Sequence, residues 1–398
     1  MNKVVYVQVA AVLAMTMALG PFAIDTYLPA FPSMASALGV SVHEVALSIS
    51  VYIFVLALGQ LVAGPISDRF GRALSMYVGL SVFAAASVVL SRVTSLEHLL
   101  LLRGVQAFGA GWIAVCVPAI VRDRMHGNEA ARFFSLIGLI MIVAPAIAPA
   151  LGSALLNLFG WQSIFLFLGG YALFLLLPIR LVIFNRHYVA PTQHPSVAVW
   201  QRYKAVLSTR RALRFLFIQS FAFTVMLIFL THASFIYQEH YAATATQFSL
   251  LFAANIIAMI GVNLTNRKLL NRYPAARILK WALVLQAVGI VLLLLVSSFA
   301  AYLWLFLPAM MITVGAMGAI VPNTQACFMD YFPEHGGTAA ATLGAIQFIL
   351  SGSISALTTL MPESLLSIVV AQALCSLCCL LFLFFGKGVI AKAHDEVA

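Results

Sequence analysis

About twelve stretches of this chain are each long and apolar enough to cross a bilayer as a helix, and that leaves few other ways for it to fold. They run 4–29, 43–65, 73–91, 98–121, 133–156, 162–184, 214–237, 247–269, 276–297, 301–325, 338–360 and 364–386. Runs this long are not strand-like, and lipid excludes open sheet edges, so the sequence reads as an all-α integral membrane protein with twelve transmembrane helices. Composition excludes a soluble alternative. The chain is 63% hydrophobic and only 9% charged, too little charge for the surface of a soluble 398-residue domain.

The net charge of +10 reports topology rather than a polyanionic partner. Basic residues fall in alternate connections: Lys3; Arg69 and Arg72; Arg122, Arg124 and Arg132; a cluster from Arg186 to Arg214; a cluster from Arg267 to Lys280; Lys387 and Lys392. The intervening connections hold only Arg92. This is the positive-inside pattern, and it places both termini in the cytoplasm. No basic patch interleaved with stacking aromatics lies outside the runs, so no nucleic-acid partner is expected. The first run is too long for a signal-peptide core and carries Asp25 past the point where cleavage would fall, so it reads as a retained helix.

Six runs end near Phe184 and six begin near Arg214. The expected organisation is an N-terminal half over 1–188, a basic linker over 189–212 and a C-terminal half over 213–398. Two such halves make an internally duplicated bundle, with a ligand site near the bilayer midplane between them. Residue identity between the halves is weak.

Asp25 is the only carboxylate deep in an apolar run, and Arg103 is its basic counterpart inside the fourth run. An ionisable group in hydrocarbon is costly and marks a functional site by default. A carboxylate that a proton can neutralise is a natural coupling group; the plainer alternative is a static Asp25–Arg103 pair holding helices together. Cys375 and Cys378 share a helix face, but no histidine or second cysteine pair completes a metal site, so they read as packing residues. No nucleophile–base–acid set and no phosphate loop is present, so no enzymatic activity and no cofactor are expected.

Several motifs carry a resemblance. Gly64 to Ala73, GPISDRFGRA, resembles the loop signature of the major facilitator superfamily. The resemblance implies a conformational latch made by Gly64, Asp68, Arg69, Gly71 and Arg72, with Asp68 also meeting the start of the eleventh helix; Ala73 stands where the family often has a second basic residue. Arg103 to Gly111, RGVQAFGAG, resembles the fourth-helix motif of proton-driven members and implies a proton-coupling role for Arg103. Gly138, Pro145, Pro149 and Gly152 resemble the kinked fifth helix of antiporters. Phe22 to Pro32, FAIDTYLPAFP, with GWQSIF at 160–165, resembles the bicyclomycin- and chloramphenicol-resistance (Bcr/CflA) subfamily, although Gln162 replaces its usual arginine and Met17 stands where some relatives carry a second acid.

The resemblance implies the major facilitator fold and a monomer in the bacterial inner membrane. It implies export of small hydrophobic or amphipathic drugs in exchange for protons, with the proton gradient as energy source and Asp25 as the switch. Candidate cavity residues are Tyr27, Tyr52, Gln60, Gln106, Trp112, Gln219, His232, Asn323 and Gln347. Export of a native metabolite such as a siderophore or amino acid shares every motif. A proton-coupled importer and a transport-inactive membrane sensor are the remaining alternatives.

Overall fold

The computed structural model describes residues 3–124, 128–184, 199–299, 302–332 and 336–384. Among them every element is helical: α1 (Lys3–Asp25), α2 (Phe31–Leu38), α3 (Val42–Phe70), α4 (Arg72–Leu90), α5 (Leu96–Arg124), α6 (Asn128–Phe159), α7 (Gln162–Pro178), α8 (Val199–Ser208), α9 (Arg210–Ser234), α10 (Ala245–Leu269), α11 (Ala275–Phe299), α12 (Leu303–Gly315), α13 (Met317–Met329), α14 (Gly336–Thr358) and α15 (Leu365–Phe384). Short π-helical turns extend α7 through Ile183 and α9 through His240. Eleven helical segments among the described residues are long and apolar enough to cross a membrane, and α6 supplies the twelfth expected run with its apolar stretch Val143–Phe159.

Two runs that hydropathy reads as unbroken are interrupted. The first, expected over 4–29, stops as an α-helix at Asp25, and the helical span as a whole continues through Leu38. The cause is covalent. Pro29 has no N–H to give the Asp25 carbonyl, and Pro32 none to give that of Leu28. Thr26 and Tyr27 form a turn, Leu28–Ala30 a 3-10 turn, and α2 follows. The tenth run divides at Ala316 into α12 and α13, each with an internal proline, Pro308 and Pro322. Elsewhere the ends are set as expected. Ser41 caps α3 through a reciprocal pair, Glu44 N donating to Ser41 Oγ at 3.2 Å and Ser41 N donating to Glu44 Oε2 at 2.8 Å. Gly71, at φ 94°, turns the chain from α3 into α4, a conformation glycine adopts without a Cβ penalty.

The chain forms two compact units, residues 1–194 with 233–253, and 195–232 with 254–398. The end of α9 and the start of α10 thus pack with the first unit. In the first unit, α5 packs on α3 and α4, α4 on α7, and α1 on α6; in the second, α11 packs on α12, α13 and α15, and α8, within the expected linker, on α14. Linker residues 189–198 lie outside the described residues.

One close helix approach recurs in both units. A Cβ on Gly111 of α5 would meet Leu56 O at 2.6 Å and Gln60 N at 2.8 Å on α3. A Cβ on Gly318 of α13 would meet Met259 O at 2.2 Å and Asn263 N at 3.0 Å on α10. In each unit one glycine admits a carbonyl and the amide four residues later on the neighbouring helix. Close approach through glycine is a recurrent solution for helices in lipid, where apolar burial gives little drive for association.

Candidate functional site

Asp25 is the last residue of α1 and only 4% exposed. The break after it directs Thr26 and Tyr27 into the packed interior, both fully buried. That turn is held from behind by α6. A Cβ on Gly152 would stand 1.6 Å from Thr26 O, so the two backbones touch where the sequence suggests only a kinked antiporter helix. Pro145 and Pro149 lie inside α6, which remains one helix through both. The side-chain environment of Gly138 lies outside the described residues.

Arg103, on α5, is completely buried and is the largest fully buried side chain described. Its guanidinium carbon lies 4.3 Å from the ring centroid of Tyr27 and 4.3 Å from that of Tyr52 on α3. A guanidinium sandwiched between two aromatic faces gains cation–π attraction on both sides, about 2 kcal/mol or more where desolvated. Nη1 donates to Gln106 Oε1 one turn along α5. Gln106 Nε2 donates to Ser87 Oγ at 2.7 Å, and Ser87 donates to Phe83 O at 2.6 Å, so the direction of each bond in this relay is fixed. Tyr27 is oriented in turn. Ser48 gives its proton to Val45 O at 2.6 Å, so the Tyr27 hydroxyl donates to Ser48 Oγ at 2.9 Å.

Among the described residues no ion pair joins Asp25 to Arg103. The static pair weighed from the sequence is absent; aromatic faces and an amide hold the arginine instead. Asp25, Tyr27, Tyr52, Arg103 and Gln106 therefore share one neighbourhood in the first unit. The Tyr52 hydroxyl is buried there, and Trp112 Nε1 is buried further along α5, each without a hydrogen-bond partner among the described residues. Buried polar atoms left unpaired are costly, so these two are positions where a polar ligand is rewarded. Gln60 lies one turn beyond Leu56, with its amide against Gly111.

Residues 233–253 cover the same end of the first unit. Ser249 Oγ donates to Pro149 O at 2.9 Å, Ser153 and Thr246 hydroxyls lie 3.5 Å apart, and Gln238 Nε2 reaches Leu28 O at 3.5 Å. That last acceptor, denied an α-helical donor by Pro32, also takes the Phe31 N–H in the 3-10 turn.

The remaining candidates belong to the second unit. Thr358 gives its proton to Ser355 O at 2.7 Å, so His232 Nε2 donates to Thr358 Oγ1 at 2.9 Å, joining α9 to α14. Asn323 Nδ2 donates to Asn266 Oδ1 at 2.6 Å and joins α13 to α10, a helix-to-helix bond. Gln219 and Gln347 are buried in α9 and α14, and Gln219 Oε1 has no hydrogen-bond partner among the described residues.

At the α3–α4 turn Arg72 bridges Asp123 on α5, Nε to Oδ2 at 3.3 Å, and its Nη1 donates to Ser67 Oγ at 3.0 Å. Asp123 is absent from the candidates read from the sequence. It lies between Arg122 and Arg124, whose charges the sequence reading assigns to topology. Arg69 is exposed, Gly64 has no atom near its Cβ position, and the Asp68 side chain lies outside the described residues.

Comparisons with known proteins agree with this architecture. The chain is 28% identical over 351 residues to a bicyclomycin resistance protein homolog of Haemophilus influenzae, covering 86% of each sequence. It is 28% identical over 354 residues to a chloramphenicol resistance protein of Pseudomonas aeruginosa, covering 87% of this chain and 82% of that one. In fold it is similar to the xylose transporter XylE from E. coli in a partially occluded inward open conformation, with a TM-score of 0.75, 13% identity and 98% of each chain covered. The sequence model of the Major Facilitator Superfamily matches residues 13–356, and the chain belongs to that family of transporters.

Proposed function

We propose that this protein exports small hydrophobic or amphipathic compounds across the bacterial inner membrane in exchange for protons, with Asp25 as the group that alternately holds proton and cargo. The observation that carries the reading is the separation of the two buried charges. Arg103 is fixed by Tyr27, Tyr52 and Gln106, while Asp25 has no ion pair with it. A carboxylate committed to a salt bridge is a poor switch, because protonating it strands the partner's charge. Here the arginine keeps its aromatic and amide contacts in either state of the acid. The names of the relatives, resistance to bicyclomycin and to chloramphenicol, support a drug as cargo.

In this reading the halves over 1–188 and 213–398 are joined by the linker, both termini are cytoplasmic, and the working unit is a monomer. Residues 233–253 seal the outer end of the first unit over Asp25. When that seal opens, a proton from outside neutralises Asp25 and cargo leaves; facing inward, the proton departs and cargo binds. Tyr52 and Trp112 offer unpaired polar atoms to the cargo. The exchange draws on the membrane potential when net charge moves, about 2.3 kcal/mol per charge per 100 mV.

The test is proton release from detergent-purified protein on adding candidate drugs, parent against Asp25→Asn. Release in the parent and none in the variant is expected; equal release removes Asp25 from the coupling role. Expression in drug-hypersusceptible cells separates drug export from export of a native metabolite, which leaves susceptibility unchanged.

A further inference from the structure

We infer that the cargo is a short zwitterion, an apolar molecule with one amine and one carboxylate, whose amine pairs with Asp25 and whose carboxylate pairs with Arg103. The inference deepens the exchange proposed above and rests on Asp25 acting in it. Its ground is an unused edge of the arginine. Arg103 is completely buried, yet its Nε and Nη2 have no hydrogen-bond partner among the described residues. Nη1 is already committed to Gln106. The rings of Tyr27 and Tyr52, each centred 4.3 Å from the guanidinium carbon, flank its plane. A further ligand therefore approaches in the plane, along the edge that Nε and Nη2 share. Those two donors lie side by side, the pattern that the two oxygens of a carboxylate accept as a pair. A buried guanidinium without an anion is costly, and unpaired donors on it add to that cost. Two buried hydroxyls are also without hydrogen-bond partners among the described residues: that of Tyr52, against Arg103, and that of Thr26, next to Asp25.

Charge decides the rest. Asp25 and Arg103 are the acid and the base of one neighbourhood, and no ion pair joins them. Tyr27 sets their separation. It follows Asp25 by two residues and its ring lies against the guanidinium, so a single side chain spans the gap. An amine and a carboxylate a few bonds apart match that spacing. A cation alone would satisfy Asp25 and leave the arginine edge idle. An anion alone would satisfy Arg103 and bring its charge near an ionised Asp25. A zwitterion pairs both ends, and only its amine competes with the proton. Protonating Asp25 thus releases the cargo from one end, while Arg103 keeps its ring and amide contacts throughout. Because such a cargo has no net charge, each exchange for one proton moves one positive charge inward.

The test compares L-phenylalanine with its methyl ester, which keeps only the amine charge, and with N-acetyl-L-phenylalanine, which keeps only the carboxylate. Detergent-purified full-length protein is titrated with each at a pH where the amines are protonated, and binding and proton release are measured together. In the parent, phenylalanine is expected to bind about tenfold more tightly than either analogue, the loss of one charged, hydrogen-bonded contact. Phenylalanine and the ester should release protons, and the acetyl compound none. Arg103→Lys keeps a charge but not the paired donors, so phenylalanine should lose its advantage over the ester there. Ester-driven proton release from that variant shows that it is folded; should it not fold, the three ligands on the parent decide alone. Parent protein that binds the ester as tightly as phenylalanine, or an advantage that survives in Arg103→Lys, would overturn the proposal, and ester-driven proton release in the same experiment would leave the exchange at Asp25 standing. Phenylalanine that binds without releasing a proton would overturn both, because its amine then does not compete at Asp25.

Discussion

Replacing Gly152 by alanine tests whether α6 positions the break in the first span. The added Cβ would stand 1.6 Å from Thr26 O, 2.7 Å from Thr26 C and 3.2 Å from Thr26 Cα. Ordinary contact begins near 3.4 Å, so the two backbones must part by about 1.8 Å. No side chain can rotate away, because every atom met is main chain. Overpacking costs about 1–3 kcal/mol when side chains absorb it; main-chain displacement places this substitution at or above about 3 kcal/mol, more than a hundredfold in the folded-to-unfolded ratio. Thr26 adjoins Asp25, so the acid moves with it. Gly170→Ala is the matched control, since a Cβ there meets nothing within 4 Å. Thermal melting in detergent should show Gly152→Ala several degrees below the parent and Gly170→Ala at or slightly above it, with transport lost only in the former. A Gly152→Ala variant that melts with its control and transports like the parent would refute the close contact and its role.

Other substitutions probe the remaining contacts. Arg103→Lys keeps the charge but loses the planar group stacked on two rings, so stability should fall by about 1–2 kcal/mol with transport impaired; unaltered melting would show that the stacking contributes nothing. For the Arg72–Asp123 bridge, a double-mutant cycle with Arg72→Gln and Asp123→Asn should give a coupling of about 0.5–1 kcal/mol that shrinks in high salt, and zero coupling at low salt would count against it. Ser249→Ala removes the bond to Pro149 O and should cost about 1 kcal/mol, read as faster protease cleavage of the 241–245 turn. Gly318→Ala should be far more damaging than Gly261→Ala, which meets nothing within 4 Å; equal melting would deny the backbone contact on α10.

Hydropathy made the helical class and the number of crossings legible, because a span needs only length and apolarity to announce itself. It could not register the interruptions after Asp25 and at Ala316. Those depend on which carbonyls lose a donor, and Pro29 and Pro32 were legible only as pieces of a motif. Tyr27, Tyr52, Gln106 and Arg103 were each recognisable as polar groups in apolar runs. Their assembly was not, since three separate segments must converge before two rings can flank one guanidinium. Asp123 was hidden for a different reason: at the end of a span, charge is ordinarily topological, and only the fold shows that α4 brings Arg72 to it. Gly152 was visible as a small residue, but the Thr26 carbonyl it admits is more than a hundred residues away in sequence. The ten residues of α8 are too polar for hydropathy to pick out, and their helix is evident only in place against α14.

Where Gly111 meets Leu56 and Gly318 meets Met259, peptide groups touch with nothing between them. Such joints have no rotamers to exchange and no cushion to compress, so each clamped helix pair travels as a single strut. Any rearrangement that carries a compound across the bilayer has to flex the chain elsewhere. The natural fulcrums are the places where the ladder of amides is already open, just beyond the buried acid and midway along the tenth crossing.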